Sequence, residues 1–197
     1  MGTRTVGASF VTLFMGLDCE PRDLGIEQAT NFILADTDAE RAYKKTKTLD
    51  APEYTLLTCY DVDDPEFSPE GACQVSVVAL AYADPWTAIP PTQYFDTKMA
   101  YADKMIELVS RVFPDLRSHI EEIDVATPLT HMRYLGHPGG AAYGFDQHAK
   151  DTSLFTKRMS PIQGLFHAGA WSGSGGGFQP TLMSGDQAAR KIIKTLR

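Results

Sequence analysis

One stretch limits the folds open to this chain more than any other: Gly164 to Arg197, GLFHAGAWSGSGGGFQPTLMSGDQAARKIIKTLR. It opens with a short apolar run, Leu165-Phe166-His167-Ala168, of the length and type of a buried strand. Gly169, Gly173, Gly175, Gly176 and Gly177 then crowd a single turn. From about Pro180 to Leu196 the residues Leu182, Ala188, Ala189, Ile192, Ile193 and Leu196 recur at helical spacing. Arg190, Lys191, Lys194 and Arg197 gather at the C-terminal end, where cations suit the helix dipole. Strand, glycine turn and helix make a cradle for a phosphate or cofactor. Glycine lets a ligand approach the backbone with no Cβ in the way, and a helix N-terminus offers unpaired N–H groups. Pro180 suits the first helical turn, where its missing N–H costs nothing. A tight turn that merely joins a strand to a helix satisfies the same pattern.

This is not the usual dinucleotide fingerprint, which needs G-x-G-x-x-G opening a βαβ unit and an acidic residue about 20 positions later. The residue three after Gly175 is Phe178. A second block, TPLTHMRYLGHPGGAAYGFDQ from Thr127 to Gln147, carries its own glycine and aromatic punctuation. Together the two blocks resemble the phytoene desaturase, carotenoid isomerase and retinol saturase group of FAD-dependent oxidoreductases. The matching features are Ala168-Gly169, the glycine turn Gly173 to Gly177, the Ser184-Gly185 pair, and the TPxT…RY…PGG…YGF-Q pattern. Weaker similarity, at Gly16-Leu17-Asp18 and in the Asp64-Pro65 to Pro69-Glu70-Gly71 loop, extends over most of the chain.

The resemblance implies an α/β (α+β) fold. A mixed-sheet substrate-binding portion with helices would span residues 1–127. The C-terminal strand–helix segment of a Rossmann-like FAD-binding domain would span 128–197. No G-x-G-x-x-G occurs before Gly164. The chain is therefore expected to be the C-terminal part of a longer flavoprotein, with FAD binding weak or absent in this chain alone. The resemblance implies cofactor contacts from Gly169, Ala170, Gly175, Gly176, Gly177, Phe178, Gln179, Pro180 and Thr181. Tyr134, Tyr143, Phe145 and Trp171 would line an apolar pocket beside the flavin ring, although each also reads as ordinary core. Asp146 and His131 are the acid–base groups near the motifs, and a structural hydrogen bond accounts for either equally well. The implied substrate is a lipophilic polyene. Two alternatives stay open: a non-catalytic fragment or interaction module that self-associates through exposed apolar surface, and another FAD oxidoreductase of the amine oxidase superfamily.

Composition narrows the classes. The chain has 197 residues, 43% hydrophobic and 22% charged, as ordinary globular domains do. A net charge of −7 leaves no basic face for nucleic acid. No stretch is long and apolar enough to span a bilayer, and a cytoplasmic location is expected, with peripheral membrane contact of the parent protein left open. Cys19, Cys59 and Cys73 are widely spaced without a C-x-x-C, so neither a disulfide framework nor a zinc site is suggested. His131, His137, His148 and His167 make no H-x-x-x-H pair, and G-x-S-x-G is absent.

Along the chain, Ala8 to Leu17 reads as a strand, apolar enough to be covered on both faces and to have its neighbours upstream. Thr37-Asp38-Ala39-Glu40 has capping-box spacing and predicts a helix to about Thr48 whose Arg41, Lys44, Lys45 and Lys47 form a solvated face. Tyr54 to Tyr60, Gln74 to Tyr82 and Ile120 to Ala126 read as strands. A helix is predicted from about Thr92 to Phe113, and its methionines suit either a core or a lipophilic tunnel. Asp61, Asp63 and Asp64 lack the glycine and glutamate of a calcium loop.

Overall fold

A computed structural model of the chain describes residues 4–146, 148, 162–172 and 176–196. Its centre is β1 (Ser9–Leu17), flanked by β4 (Cys73–Ala81) and β5 (Ile120–Ala126). With β2 (Thr30–Leu34) and β3 (Tyr54–Thr58) they form a five-stranded sheet of order β2-β3-β4-β1-β5. Every pairing is antiparallel. Two expectations are thereby corrected. The sheet is antiparallel rather than mixed, and the neighbours of β1 lie downstream of it in sequence. The run looked doubly covered because both of its faces are apolar: Val11, Leu13, Met15 and Leu17 are buried on one, while Phe10 and Phe14 lie on the other, Phe14 51% exposed.

The buried face packs on α3 (Tyr94–Ser110). Tyr101, Ala102, Met105, Ile106, Leu108 and Val109 are the buried stripe of that helix. Met105 is fully buried in this core, the packing role rather than the tunnel role. A 3-10 turn over Pro91–Gln93 leads in, and Phe113 folds back into the core after the helix ends. The short α2 (Asp84–Thr87) delivers Trp86, 0% exposed, edge-on to Tyr101 with ring centroids 5.2 Å apart.

Helix α1 (Ala39–Lys45) is capped by Asp38, not Thr37: the Asp38 carboxylate accepts from the Arg41 N–H at 3.0 Å. The Asp36 carboxylate accepts from the Thr37 and Asp38 N–H groups, and this local turn shifts the cap by one residue. Nor are Arg41 and Lys45 simply solvated. Lys45 Nζ lies 2.6 Å and Arg41 Nη2 3.1 Å from the carboxylate of Glu53, whose side chain is 7% exposed. The bond from Lys45, then that from Arg41, holds the Glu53 carboxyl below the usual glutamate range. Asp61 is buried, accepting from the Gln74 N–H at 2.9 Å as a structural acceptor.

Three elements were not anticipated: the short α2, edge strand β2 and helix α4. Edge strand β2 alternates exposed Phe32 and Leu34 with buried Ile33. Helix α4 (Pro128–Leu135) starts in a box where Thr127 and Thr130 cap each other, with proline at the first helical position and Gly136 closing it at φ +67°. His131 sits on this helix. The C-terminal helix α5 (Phe178–Thr195) forms as expected. Residues 165–168 do not form the expected strand; no strand among the described residues pairs with them, and Leu165 is 43% exposed. The apolar stripe of α5 is open, with Leu182 76% and Ile193 52% exposed. Among the described residues no helix is long and apolar enough to cross a membrane.

Adjacent residues on β1 test the two-faced sheet. Leu13→Ala removes a fully buried side chain and should cost about 3 kcal/mol in chemical denaturation. Phe14→Ala, on the open face, should cost less than about 1 kcal/mol. Equal costs would contradict the assignment of faces.

Candidate functional site: an open sheet face ending in an aromatic and glycine cluster

The second face of the sheet is where a ligand has room. One register row crosses it completely: Phe32, Leu56, Val78, Thr12 and Ala126 stand side by side on the five strands. In the next row Leu34 pairs with Tyr54, and Leu80 pairs with Phe10. All of these lie opposite the α3 core by strand alternation. A groove of about 270 Å³ opens between this face and α1, lined by Leu34, Ala39, Ala42, Tyr43, Tyr54 and Leu80 among others.

Phe10 links the groove to an aromatic cluster. Its ring meets Tyr143 edge-on at 6.1 Å and His131 at 6.3 Å. Close by in the chain, Trp171 packs edge-on against Phe145 at 4.9 Å and His137 at 5.8 Å, and the Arg4 guanidinium lies 5.1 Å over the Phe145 ring. These residues meet because 142–146 run antiparallel to the segment entering β1. The Gly7 N–H donates to Gly144 O at 2.8 Å, the Ala142 N–H to Ala8 O at 3.0 Å and the Asp146 N–H to Thr5 O at 2.9 Å.

Glycine makes the close approach. Gly144 holds φ +79°, and a Cβ there would collide with Ala170 O. A Cβ on Gly176 would collide with the Tyr143 backbone. The turn is also tied to α5: the Gly169 N–H donates to Ser184 Oγ at 2.8 Å, and this buried hydroxyl donates to Thr181 O at 2.6 Å.

Of the anticipated cofactor contacts, Gly169, Ala170, Gly176, Gly177, Phe178, Gln179, Pro180 and Thr181 fall along this turn and the first turn of α5. Gly175 lies outside the described residues. Gly177 is the N-cap at φ +100° with no side-chain cap, and Phe178 is 95% exposed. Of the anticipated pocket residues, Tyr143, Phe145 and Trp171 join the cluster. Tyr134 does not; it is 78% exposed on α4 with the Arg133 guanidinium near its ring. Phe10 and His137 were missed: Phe10 lies outside the motifs and His137 inside the Thr127–Gln147 block, and only the fold brings them to Tyr143 and Trp171 respectively.

The two acid–base candidates differ. Asp146 accepts from the Tyr82 hydroxyl at 2.5 Å and pairs with His148 Nε2 at 3.1 Å. Tyr43 OH meets the same His148 nitrogen at 3.1 Å and accepts from Lys47 Nζ at 2.8 Å. Desolvation first, then the Asp146 bond, pushes the Tyr82 hydroxyl upward and keeps it protonated. Asp146 thus belongs to a polar clasp that joins residues 146 and 148 to α1. Burial pushes His131 below its ordinary value, so its ring is neutral at pH 7. Its Nε2 and the buried Ser9 Oγ, on either side of Gly140, have no hydrogen-bond partner among the described residues.

No protein-family model matches the chain. Among curated proteins it is 24% identical over 183 residues to all-trans-retinol 13,14-reductase of Danio rerio, covering 83% of this chain and 30% of that protein. It is 29% identical over 193 residues to 4,4'-diaponeurosporene oxygenase of Staphylococcus haemolyticus, covering 94% and 36% respectively. It is 26% identical over 190 residues to the chloroplastic prolycopene isomerase of Arabidopsis thaliana, covering 93% and 30%. The chain spans about a third of the length of these relatives. At low identity but over most of its length, it is similar to the carotenoid and retinoid oxidoreductase group.

Matched glycines test the cluster. Gly71 and Gly144 have nearly the same φ, +78° and +79°, but a Cβ at Gly71 meets open space. Gly71→Ala should cost about 1 kcal/mol of backbone strain. Gly144→Ala should cost at least about 2 kcal/mol, because the Ala170 segment must also move. Equal costs in urea denaturation would contradict the close approach.

Proposed function

We propose that this chain carries the substrate-facing sheet and the cofactor-facing terminal turn of an FAD-dependent oxidoreductase that desaturates, saturates or isomerises a conjugated lipid. Residues 1–127 would supply the substrate-binding portion, and 128–197 the C-terminal segment of the flavin domain. The observation that carries this reading is the apolar second face of the sheet. It runs from the groove at Leu34, Tyr54 and Leu80 through Phe10 to Tyr143, a lining suited to a long apolar chain. The similarity to proteins named for retinol and carotenoid substrates points the same way.

The residues at the end of that path suit a flavin. Gly169 holds φ +98° with open space where a Cβ would stand, and the N-terminus of α5 has no side-chain cap. The buried Ser172 Oγ has no hydrogen-bond partner among the described residues. Gly169, Ala170, Gly176 and Gly177 would hold the cofactor by backbone contact. The N–H groups of Phe178 and Gln179 would face its electron-rich edge, where a helix N-terminus favours negative charge, while the Thr181 N–H is taken by Gly177 O at 3.2 Å. When bound, FAD supplies the hydride chemistry. The chain's own task is to orient the lipid and keep water away. Phe10, Tyr143, Phe145 and Trp171 serve that end, and the neutral His131 adds no charge to the apolar wall.

Titration of the purified chain with all-trans-retinol, followed by ligand fluorescence, tests the reading. Wild type should bind saturably. Leu34→Asp, at a groove position already 59% exposed and so tolerant of change, should weaken binding at least about tenfold through loss of apolar contact and a charge set against the ligand. No saturable binding, or equal binding by the variant, would overturn it.

A further inference from the structure

A different cluster lies at the far end of β1 from Phe10. Asp18 and Cys19 directly follow β1, and His119 directly precedes β5. The ladder between these strands shifts register between Gly16 and Leu17, so that Leu17 pairs with Ile120. One step further the Asp18 N–H donates to His119 O at 3.1 Å. Backbone pairing therefore holds the two segments in place irrespective of their side chains. His119 Nδ1 lies 2.7 Å from Asp18 Oδ1, and one ligand atom from each of Asp18, Cys19 and His119 lies within 4.8 Å of the other two.

The donor set is one sulfur, one imidazole nitrogen and one carboxylate oxygen. Calcium and magnesium prefer all-oxygen shells, whereas a mixed S/N/O set suits zinc and its neighbours. Metal–ligand bonds of about 2.0–2.3 Å around a tetrahedral ion leave ligand atoms roughly 3.3–3.8 Å apart, a spacing these side chains reach by small rotations. Cys19 is buried, so the surrounding core packing restrains its sulfur. Asp18 and His119 are half open to solvent, 50% and 36% exposed in their side chains, which leaves room for water as a fourth ligand.

We propose that Asp18, Cys19 and His119 form a three-ligand site for a zinc-type divalent transition metal, with water in the fourth position, that clamps the β1–β5 junction. Binding replaces the Cys19 thiol proton, released to solvent, with a sulfur–metal bond, and no electron is transferred. The site is at the other end of the strand from the aromatic cluster, so the metal braces the sheet and does not touch the lipid groove.

Cobalt(II), a spectroscopic substitute for zinc, tests this on the reduced full chain. One ion per chain should produce a thiolate-to-cobalt charge-transfer band that zinc abolishes by displacement. Cys19→Ser should remove the band. His119→Ala, at a partly exposed position, should weaken cobalt binding at least about tenfold, while Cys59→Ser should leave the band in place. Circular dichroism checks that each variant is folded. A wild-type chain without the band, a band that survives Cys19→Ser, or a His119→Ala variant that binds as wild type does would overturn the proposal.

Discussion

The antiparallel pairing of β1 with β4 on one side and β5 on the other is the constraint on which the rest depends. It is set by side-chain alternation: a slip of one residue would exchange Leu13 for Phe14 and turn the core out to solvent. With the register as it stands, Val11, Leu13 and Met15 bury themselves against α3, while Phe10, Thr12 and Phe14 are left for the other face. The same strand serves stability with one set of residues and the candidate site with the other. Its two ends are also distinct: Phe10 leads to the aromatic cluster, and Asp18 and Cys19 lead to His119.

Around that strand the candidate site is assembled by backbone contact more than by side-chain recognition. Segments near Gly7, Gly144, Ala170 and Gly176 approach so closely that a Cβ at any of the three glycines would strike a neighbour's backbone. Such packing suits a cofactor surface, which needs main-chain N–H groups within reach and little side-chain bulk. The polar clasp of Lys47, Tyr43, His148, Asp146 and Tyr82 then fixes this region to α1, which forms the wall of the apolar groove. Asp146 is better understood as a member of that clasp than as a free acid.

Much of the fold was legible in the sequence because period carries physical meaning. β1, β3, β4 and β5 show the apolar content of strands, and Met105, Ile106 and Val109 mark the buried stripe of α3. Short elements were harder. The run at 165–168 has the apolar length of a strand but no strand pairs with it among the described residues, and pairing is not encoded in a single segment. α4 is short and its apolar pattern weak, and its real signal was the Thr127-Pro128 start. Of the candidate site, the glycines and Tyr143, Phe145 and Trp171 stood out within their motifs. The entry of Phe10, the clasp on Asp146 and the meeting of Asp18 with His119, 101 residues apart in sequence, come only from strand pairing.

The central claim is that the apolar sheet face and the aromatic cluster form one continuous path for a conjugated lipid. Photoaffinity labelling with a retinoid carrying a photoreactive group, followed by peptide mapping, tests it most directly. The account predicts labels concentrated on the strands bearing Leu34, Tyr54, Leu80 and Phe10 and on the segment around Tyr143. Labels confined to the exposed stripe of α5, at Leu182 and Ile193, or spread evenly over the surface, would contradict it.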